Sequence, residues 1–363
     1  MLSSVKVLDL SRVLAGPLCS MTLGDLGASV IKIERPVTGD DTRGWGPPFD
    51  DRGESAYFLS VNRNKLSVAA DLRAPGDRAL VERLLARADV VIENFLPGAL
   101  SRAGLDPVEL RSRHPALVWC TIEGFPEDPE RPGYDFVVQA ESGWMAITGE
   151  PAGAPMKHGV ALVDLLAGKD AAIAILAALV SRGSTGLGGH VRVSLAGSAR
   201  AALINVAQNA LVSGRDARRW GNAHANLVPY QLFEAADRPI VIAVGNDAQW
   251  AACAEALELP ELAGDAELST NAGRLGRREV LVSAIANRVR RAPASHWIER
   301  LARVGVPCGL VRGVLEAIRE VAASPLTGMP SSVGGAVHRL PPRLDEHGAL
   351  VREHGWGAFV LPA

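Results

Sequence analysis

Residues 5–34, VKVLDLSRVLAGPLCSMTLGDLGASVIKIE, decide the fold. VKVLDL (5–10) is a short apolar run of strand length, and SVIKIE (29–34) is a second one. Between them AGPLCSMTLGDLGA (15–28) has a helical pattern with Gly and Pro at its start. Strand, helix, strand across about thirty residues is a βαβ unit, and its strands have to run parallel. The alternation continues downstream. LSVAADL (66–72), DVVIENF (89–95) and LVWCTIEGF (117–125) read as strands. PGDRALVERLLARA (75–88), with Pro near its start, and LDPVELRSRH (105–114) read as the helices between them. The predicted fold class is α/β, a doubly wound, Rossmann-like large domain built on a parallel sheet.

Beyond residue 125 the pattern is less regular. GVALVDLLAGKDAA (159–172) places one carboxylate, Asp164, in a run of Val, Leu and Ala. Its ordinary reading is a capping acid where a strand meets a helix. The sharper reading is a reactive carboxylate in a dry pocket. A helix of about four turns follows, then a Gly/Ser/Thr loop, then a further strand at HVRVSL (190–195). SGRDARRWGNAHANLVPYQ (213–231) reads as a linker or an active-site loop, and RPIVIAVGN (238–246) as a strand. Residues 247–304 are mostly helical in pattern, and VPCGLVRG (306–313) is a strand running back. The expected division is a large domain at 1–210, a smaller α+β domain at 225–315, and a segment at 316–363 that returns to the first domain.

Composition narrows the function classes. With 38 Lys and Arg against 40 Asp and Glu, the formal net charge is −2, so no overall field draws in nucleic acid or an anionic membrane. An apolar fraction of 48% with 21% charged residues is that of a globular enzyme. The four cysteines are far apart and include no CxxC pair, which argues against a zinc motif and for reduced thiols in the cytoplasm. The first residues lack the apolar core of a secretory signal. The longest apolar run, AAIAILAALV (171–180), is too short to cross a bilayer and reads as a buried helix.

Candidate binding residues gather at the strand ends, where an open parallel sheet leaves a crevice. The first turn, LSRVLAGP, is not GxGxxG, so a nicotinamide dinucleotide is not expected. Arg12, Arg35, Arg73 and Arg102 stand at comparable positions. Each alone is an ordinary surface charge, and together they favour a phosphate-rich ligand. Asn94 and Phe95 end the fourth strand, where they either pack the strand terminus or receive a base by hydrogen bonding and stacking.

Five blocks occur in one order: the opening stretch, VNRNKLSVAADLRAPGD (61–77), ADVVIENFLPGAL (88–100), GYDFVVQAESGWMAITG (133–149) and STGLGGHVRVSL (184–195). In this the chain resembles the family III CoA-transferases, the group containing formyl-CoA and carnitine CoA-transferases, to which the 2-methylacyl-CoA racemases are related in fold. The likeness runs from about residue 5 to about residue 350, where RLDEHGALVREHG (343–355) resembles the family's closing helix. The resemblance implies a Rossmann-like large domain, a small domain, and two chains threaded through each other as an interlocked homodimer. It implies coenzyme A and acyl-CoA as substrate, a carboxylic acid as the partner substrate, and no metal.

By the same resemblance Asp164 is the catalytic carboxylate. CoA contacts are implied for Leu14, Ala15, Arg35, Arg73, Asn94, Phe95, Arg102, Tyr134 and Asp135. The racemases carry His where this chain has Tyr134, and tyrosine, with a pKa of about 10, is a poor base near neutrality. The pair Tyr134–Asp135 matches the transferase pattern instead. His158, six residues before Asp164, reads as a loop histidine. The sequence departs from the formyl-CoA enzymes at Pro132, where they have a lysine, leaving Arg131 as the nearest replacement. It also departs at GNAHANLVPYQ (221–231), where His224 is a candidate neighbour of the site and Ala225 replaces the usual Pro. The alternatives kept open are a racemase of the same fold and a CoA-binding protein without catalysis.

Overall fold

The structure is a computed structural model that describes residues 1–319 and 329–360. Their described residues divide into two compact units. One comprises those of Met1–Met145, Lys157–Ala217 and Ala323–Ala363, and the other those of Ala146–Met156 and Arg218–Ala322. The short excursion Ala146–Met156 thus leaves the first unit within the stretch that the sequence reading assigns to a single domain.

The first unit contains a six-stranded sheet: β1 (Lys6–Asp9), β2 (Ser29–Glu34), β3 (Lys65–Ala69), β4 (Val90–Glu93), β5 (Val118–Glu123) and β6 (Gly189–Ser194). Its order is β3-β2-β1-β4-β5-β6, and every neighbouring pair is parallel. The chain order reverses between β1 and β4, which opens a crevice at the strands' C-terminal ends. Both faces of its central strands are buried, as a parallel sheet requires, while the edge strand β6 exposes His190 and Arg192. Val7, Val30, Val90 and Val118 pack on one side with the helices Ala15–Asp25 and Leu162–Thr185. Leu8, Ile31, Val91 and Trp119 pack on the other with Leu80, Leu84 and Trp356. The C-terminal stretch covers that second face. The Trp356 indole donates to the Leu84 carbonyl at 2.9 Å, and the Asn64 carboxamide accepts the His338 and Arg339 amides at 2.6 and 2.9 Å.

The second unit has an antiparallel sheet of β7 (Tyr230–Glu234), β8 (Pro239–Ala243) and β9 (Cys308–Leu310) around its own core, with helices between β8 and β9. Strand β7 begins in the last two residues of the stretch read as linker or loop and runs into residues given no element, because the alternating YQLFE that forms it is short and follows a Gly- and Asn-rich run. Among the described residues no helix is long and apolar enough to cross a membrane.

Charges are buried beneath the crevice. Asp9, at the end of β1, accepts from Lys65 of β3 at 3.1 Å and from Ser11 and Ser20. All three of Asp9, Lys65 and Ser20 are fully buried. Burial works to raise the Asp9 pKa, but Lys65 and Lys32 outweigh it and hold the carboxyl at about 2. Burial brings Lys65 down to about 8 despite Asp9. Removing one member of such a pair strands the other charge. Asp9→Ala is therefore expected to cost about 3–5 kcal/mol in urea unfolding, and adding Lys65→Met to recover most of it. A single-variant cost below about 1 kcal/mol would contradict this arrangement.

Candidate active site

Asp164 lies inside the first turn of the helix Leu162–Thr185, two residues after its first residue. The sequence reading starts the helix only after Asp164. Instead the helix already includes Asp164, and Ala167 and Gly168 form its second turn. Gly168 is required by packing. A Cβ there would come within 2.7 Å of the Ala15 carbonyl oxygen, so the helices Ala15–Asp25 and Leu162–Thr185 meet closely one turn beyond Asp164. Glycine at this place lets backbone approach backbone.

The helix start has no side-chain cap of its own from Ala161. Asp135 supplies one from a distant segment: its Oδ1 accepts the amides of Val163 at 2.8 Å and Asp164 at 3.4 Å. Asp135 is itself the first residue of the helix Asp135–Glu141, and Gln139, one turn on, donates to its Oδ2 at 2.6 Å. Gln139 also accepts the His158 amide at 2.9 Å, which ties down the stretch entering the Asp164 helix. A negative charge is thus fixed beside Asp164 by its duty as a cap.

An apolar cluster lies next to Asp164 in the chain. Leu165 and Leu14 pack against Leu18, Met21 and Val61. Burial first, and the charge of Asp135 second, push the Asp164 pKa from its ordinary value to about 7. The helix N-terminus favours the ionised form, but desolvation prevails. A half-protonated carboxylate near neutrality is the ionisation state that sequence alone leaves open.

Asp164 faces a cleft of about 310 Å³ shared with Leu14, Ala15, Asn94, Phe95, Arg131, Pro132 and Tyr134. Two glycines floor it by close backbone approach: a Cβ on Gly133 would lie 2.2 Å from Gly124 Cα. A larger cleft of about 480 Å³ lies beside it and shares Arg12 and Phe95 with it. Arg35, Arg73, Lys32 and Asp40 line that larger cleft as well. Arg12 and Arg35 both pair with Asp41, and Arg73 with Asp71 at 3.2 Å. These exposed pairs are weak and leave guanidinium groups ready for an anion.

Of the ten residues that the resemblance assigns to the site, eight line one or other of these two clefts. Arg102 lines neither cleft, and Asp135 stands behind Asp164 as its cap. The Asn94 carboxamide is engaged with the Arg12 backbone, accepting from its amide at 3.0 Å and donating to its carbonyl at 2.8 Å. Arg131 lies over the Phe125 ring and is paired with Glu141. His158 stacks edge-on against Trp144 at 5.4 Å. His224 belongs to the second unit, where it packs on Tyr230 and accepts the Asn226 amide at 3.0 Å.

Tyr57 escapes the sequence reading. Burial, then the charges of Asp164 and Asp135, raise its pKa to about 12, which places its hydroxyl in the field of both carboxylates. It packs edge-on against Trp45 at 5.1 Å. The only local signal is the Ser55 cap of a six-residue helix, which says nothing about a partner more than a hundred residues away.

Comparison with known proteins gives a consistent result. The family model described as CoA-transferase family III matches residues 2–349. The succinyl-CoA:glutarate CoA-transferase of Homo sapiens is 42% identical over 322 residues, covering 88% of this chain and 73% of that one. The acetyl-CoA:oxalate CoA-transferase of Acetobacter aceti is 37% identical over 366 residues, covering 96% and 94%. A crystal structure of a CAIB/BAIF family protein from Brucella suis superposes with a TM-score of 0.87 at 40% identity, covering 97% and 98%.

The raised pKa of Asp164 has a thermodynamic consequence. The folded state holds a proton more tightly than the unfolded chain, whose aspartate titrates near 3.9. The wild type therefore loses stability as pH rises from about 4 through about 7. Asp164→Asn does not. Its Tm, relative to wild type, is expected to be higher at about pH 8 than at about pH 5. A pH-independent difference in calorimetry contradicts the raised pKa.

Proposed function

The chain belongs to CoA-transferase family III, an acyl-CoA:carboxylate CoA-transferase by that membership, and we propose that Asp164 is the carboxylate through which CoA passes. The observation that carries this reading is a partly dehydrated carboxylate at the floor of a cleft that opens onto a larger, arginine-lined one. The adenosine and phosphate end of CoA occupies the larger cleft among Arg12, Arg35 and Arg73, with Phe95 at the junction. The pantetheine arm reaches past Phe95 and Leu14 towards Asp164.

Ionised Asp164 attacks the thioester carbonyl; the C–S bond breaks, leaving a mixed anhydride and CoA thiolate. The thiolate attacks the aspartyl carbonyl, forming an aspartyl-CoA thioester and releasing the first acid with an oxygen taken from Asp164. The incoming carboxylate then runs both steps in reverse, restoring Asp164 with one oxygen of its own. Covalent steps divide one difficult exchange into easier ones. The Leu14–Leu165 wall keeps water from the anhydride. The relatives' names point to short dicarboxylic acids, and we extend that substrate class to this chain.

Two exposed apolar helix faces support the homodimer that the resemblance implies, interlocked as in the family. Ile173 and Val180 are 66% and 77% exposed on the long helix, and Leu211 and Val212 are 76% and 85% exposed on Ile204–Ser213. Such faces are uncommon on a monomer. The free cysteines fit a cytoplasmic setting.

Asp164→Ala is expected to abolish transfer, and acyl-CoA with hydroxylamine to leave a hydroxamate on Asp164 of the wild type, read by peptide mass spectrometry. A fully active alanine variant would sink the proposal. Because the nucleophile must be ionised, kcat/KM is expected to rise with pH through about 7 and level off above it. Incubation with acyl-CoA in D2O without acceptor is expected to give no α-carbon deuteration. Deuteration would favour the racemase reading despite Tyr134.

A further inference from the structure

The turn that leads from β1 into the helix Ala15–Asp25 is held almost entirely from outside itself. Lys32 Nζ donates to the Ser11 carbonyl at 2.8 Å. Asn94 clamps both backbone groups of Arg12. The Val13 amide donates to both oxygens of Asp40, at 3.2 Å each. Lys32 and Asp40 are paired at 3.0 Å with side chains 1% and 0% exposed. Val13 needs this support. Its φ of +72° is a conformation that a β-branched residue adopts only under constraint. Tight packing closes the turn further, since a Cβ on Gly16 would come within 2.3 Å of the Ser11 side chain.

The next two residues, Leu14 and Ala15, line the Asp164 cleft, and the Ala15 carbonyl is the atom against which Gly168 packs. A shift of the turn would be felt at the reacting carboxylate. Buried ion pairs are poor sources of net stability and are often replaceable by apolar side chains. Asp40 also caps the short helix Asp41–Gly44 through Thr42, and its reach back to the strained Val13 amide points to a second role.

We propose that Asp40, oriented by Lys32, is a positioning residue that holds Val13 in its left-handed conformation and so sets Leu14 and Ala15 against Asp164. This rests on the reading of the Asp164 cleft as the site of transfer. Thr42 completes the arrangement, donating its amide and hydroxyl to Asp40 Oδ1 at 3.0 and 2.8 Å.

The test compares Asp40→Ala, the same change with Val13→Gly, and wild type, using succinyl-CoA and glutarate as the probe pair. Asp40→Ala is expected to lower kcat by roughly 10- to 100-fold, the scale of a misplaced but intact site, with KM for succinyl-CoA changed less than about threefold. Glycine adopts a positive φ without strain, so Val13→Gly in the Asp40→Ala background is expected to restore kcat by at least about tenfold. A folded Asp40→Ala protein with wild-type kcat overturns the proposal, and so does a loss that Val13→Gly leaves unrepaired.

If Asp40→Ala does not fold, Lys32→Met with Asp40→Leu removes the charges together, and the same loss and rescue are expected of it. Amide exchange of residues 11–18 gives a readout independent of turnover. It is expected to be at least about tenfold faster without Asp40, with β5 unchanged, because the Val13 amide has lost its acceptor. Unchanged exchange overturns the clamp. Inactivity of the wild type towards any acyl-CoA, with exchange behaving as expected, overturns the functional reading alone.

Discussion

The Asp135 carboxylate does two things with one oxygen. By accepting the Val163 and Asp164 amides it caps a 24-residue helix that offers no cap of its own. In doing so it fixes a negative charge against Asp164, which burial has already made reluctant to ionise. The helix dipole and the cap favour an anion at the helix start, while the apolar wall and the second carboxylate disfavour it. The outcome, a carboxyl poised near neutrality, suits the role proposed for Asp164, attack as an anion and later departure from an anhydride. A fully solvated aspartate ionises more readily and is a weaker nucleophile for it.

The scaffold serves this arrangement by bringing backbone close where side chains would interfere. Gly168 admits the Ala15 carbonyl, Gly124 and Gly133 meet at the floor of the cleft, and Gly16 folds under Ser11. Beneath them Asp9, Lys65, Lys32 and Asp40 form a dry network of alternating charge. Such a network is costly to build and costly to interrupt. Its members lie on β1, on β2, on β3 and in the loop after β2, so it locks the crevice end of the sheet to the turn that opens the site.

Much of the first unit was legible from sequence because its signals are local. SVIKIE coincides with β2, and the helices at Ala15–Asp25 and Pro75–Leu85 begin where Gly and Pro announce them. The parallel order follows from the βαβ periodicity. What periodicity cannot carry is a contact across the chain. Asp135 reads as a neighbour of Tyr134, and its role as a cap exists only because residues 135 and 163 are brought together in space. Asn94 reads as either a packed strand end or a ligand contact, and its clamp on the Arg12 backbone has no sign in the sequence. Tyr57 and Asp40 carry no local signal of the distant groups they meet. Strand β7 was missed because five residues after a glycine- and asparagine-rich run look like a continuation of the loop.

Passage of CoA through Asp164, as proposed, exchanges an oxygen between that side chain and each substrate acid. The most direct measurement is turnover with an acceptor carboxylate doubly labelled with 18O, followed by mass analysis of the peptide containing Asp164. Covalent passage through Asp164 predicts one 18O in its carboxylate after a single transfer. Transfer that proceeds while the peptide stays unlabelled would contradict it.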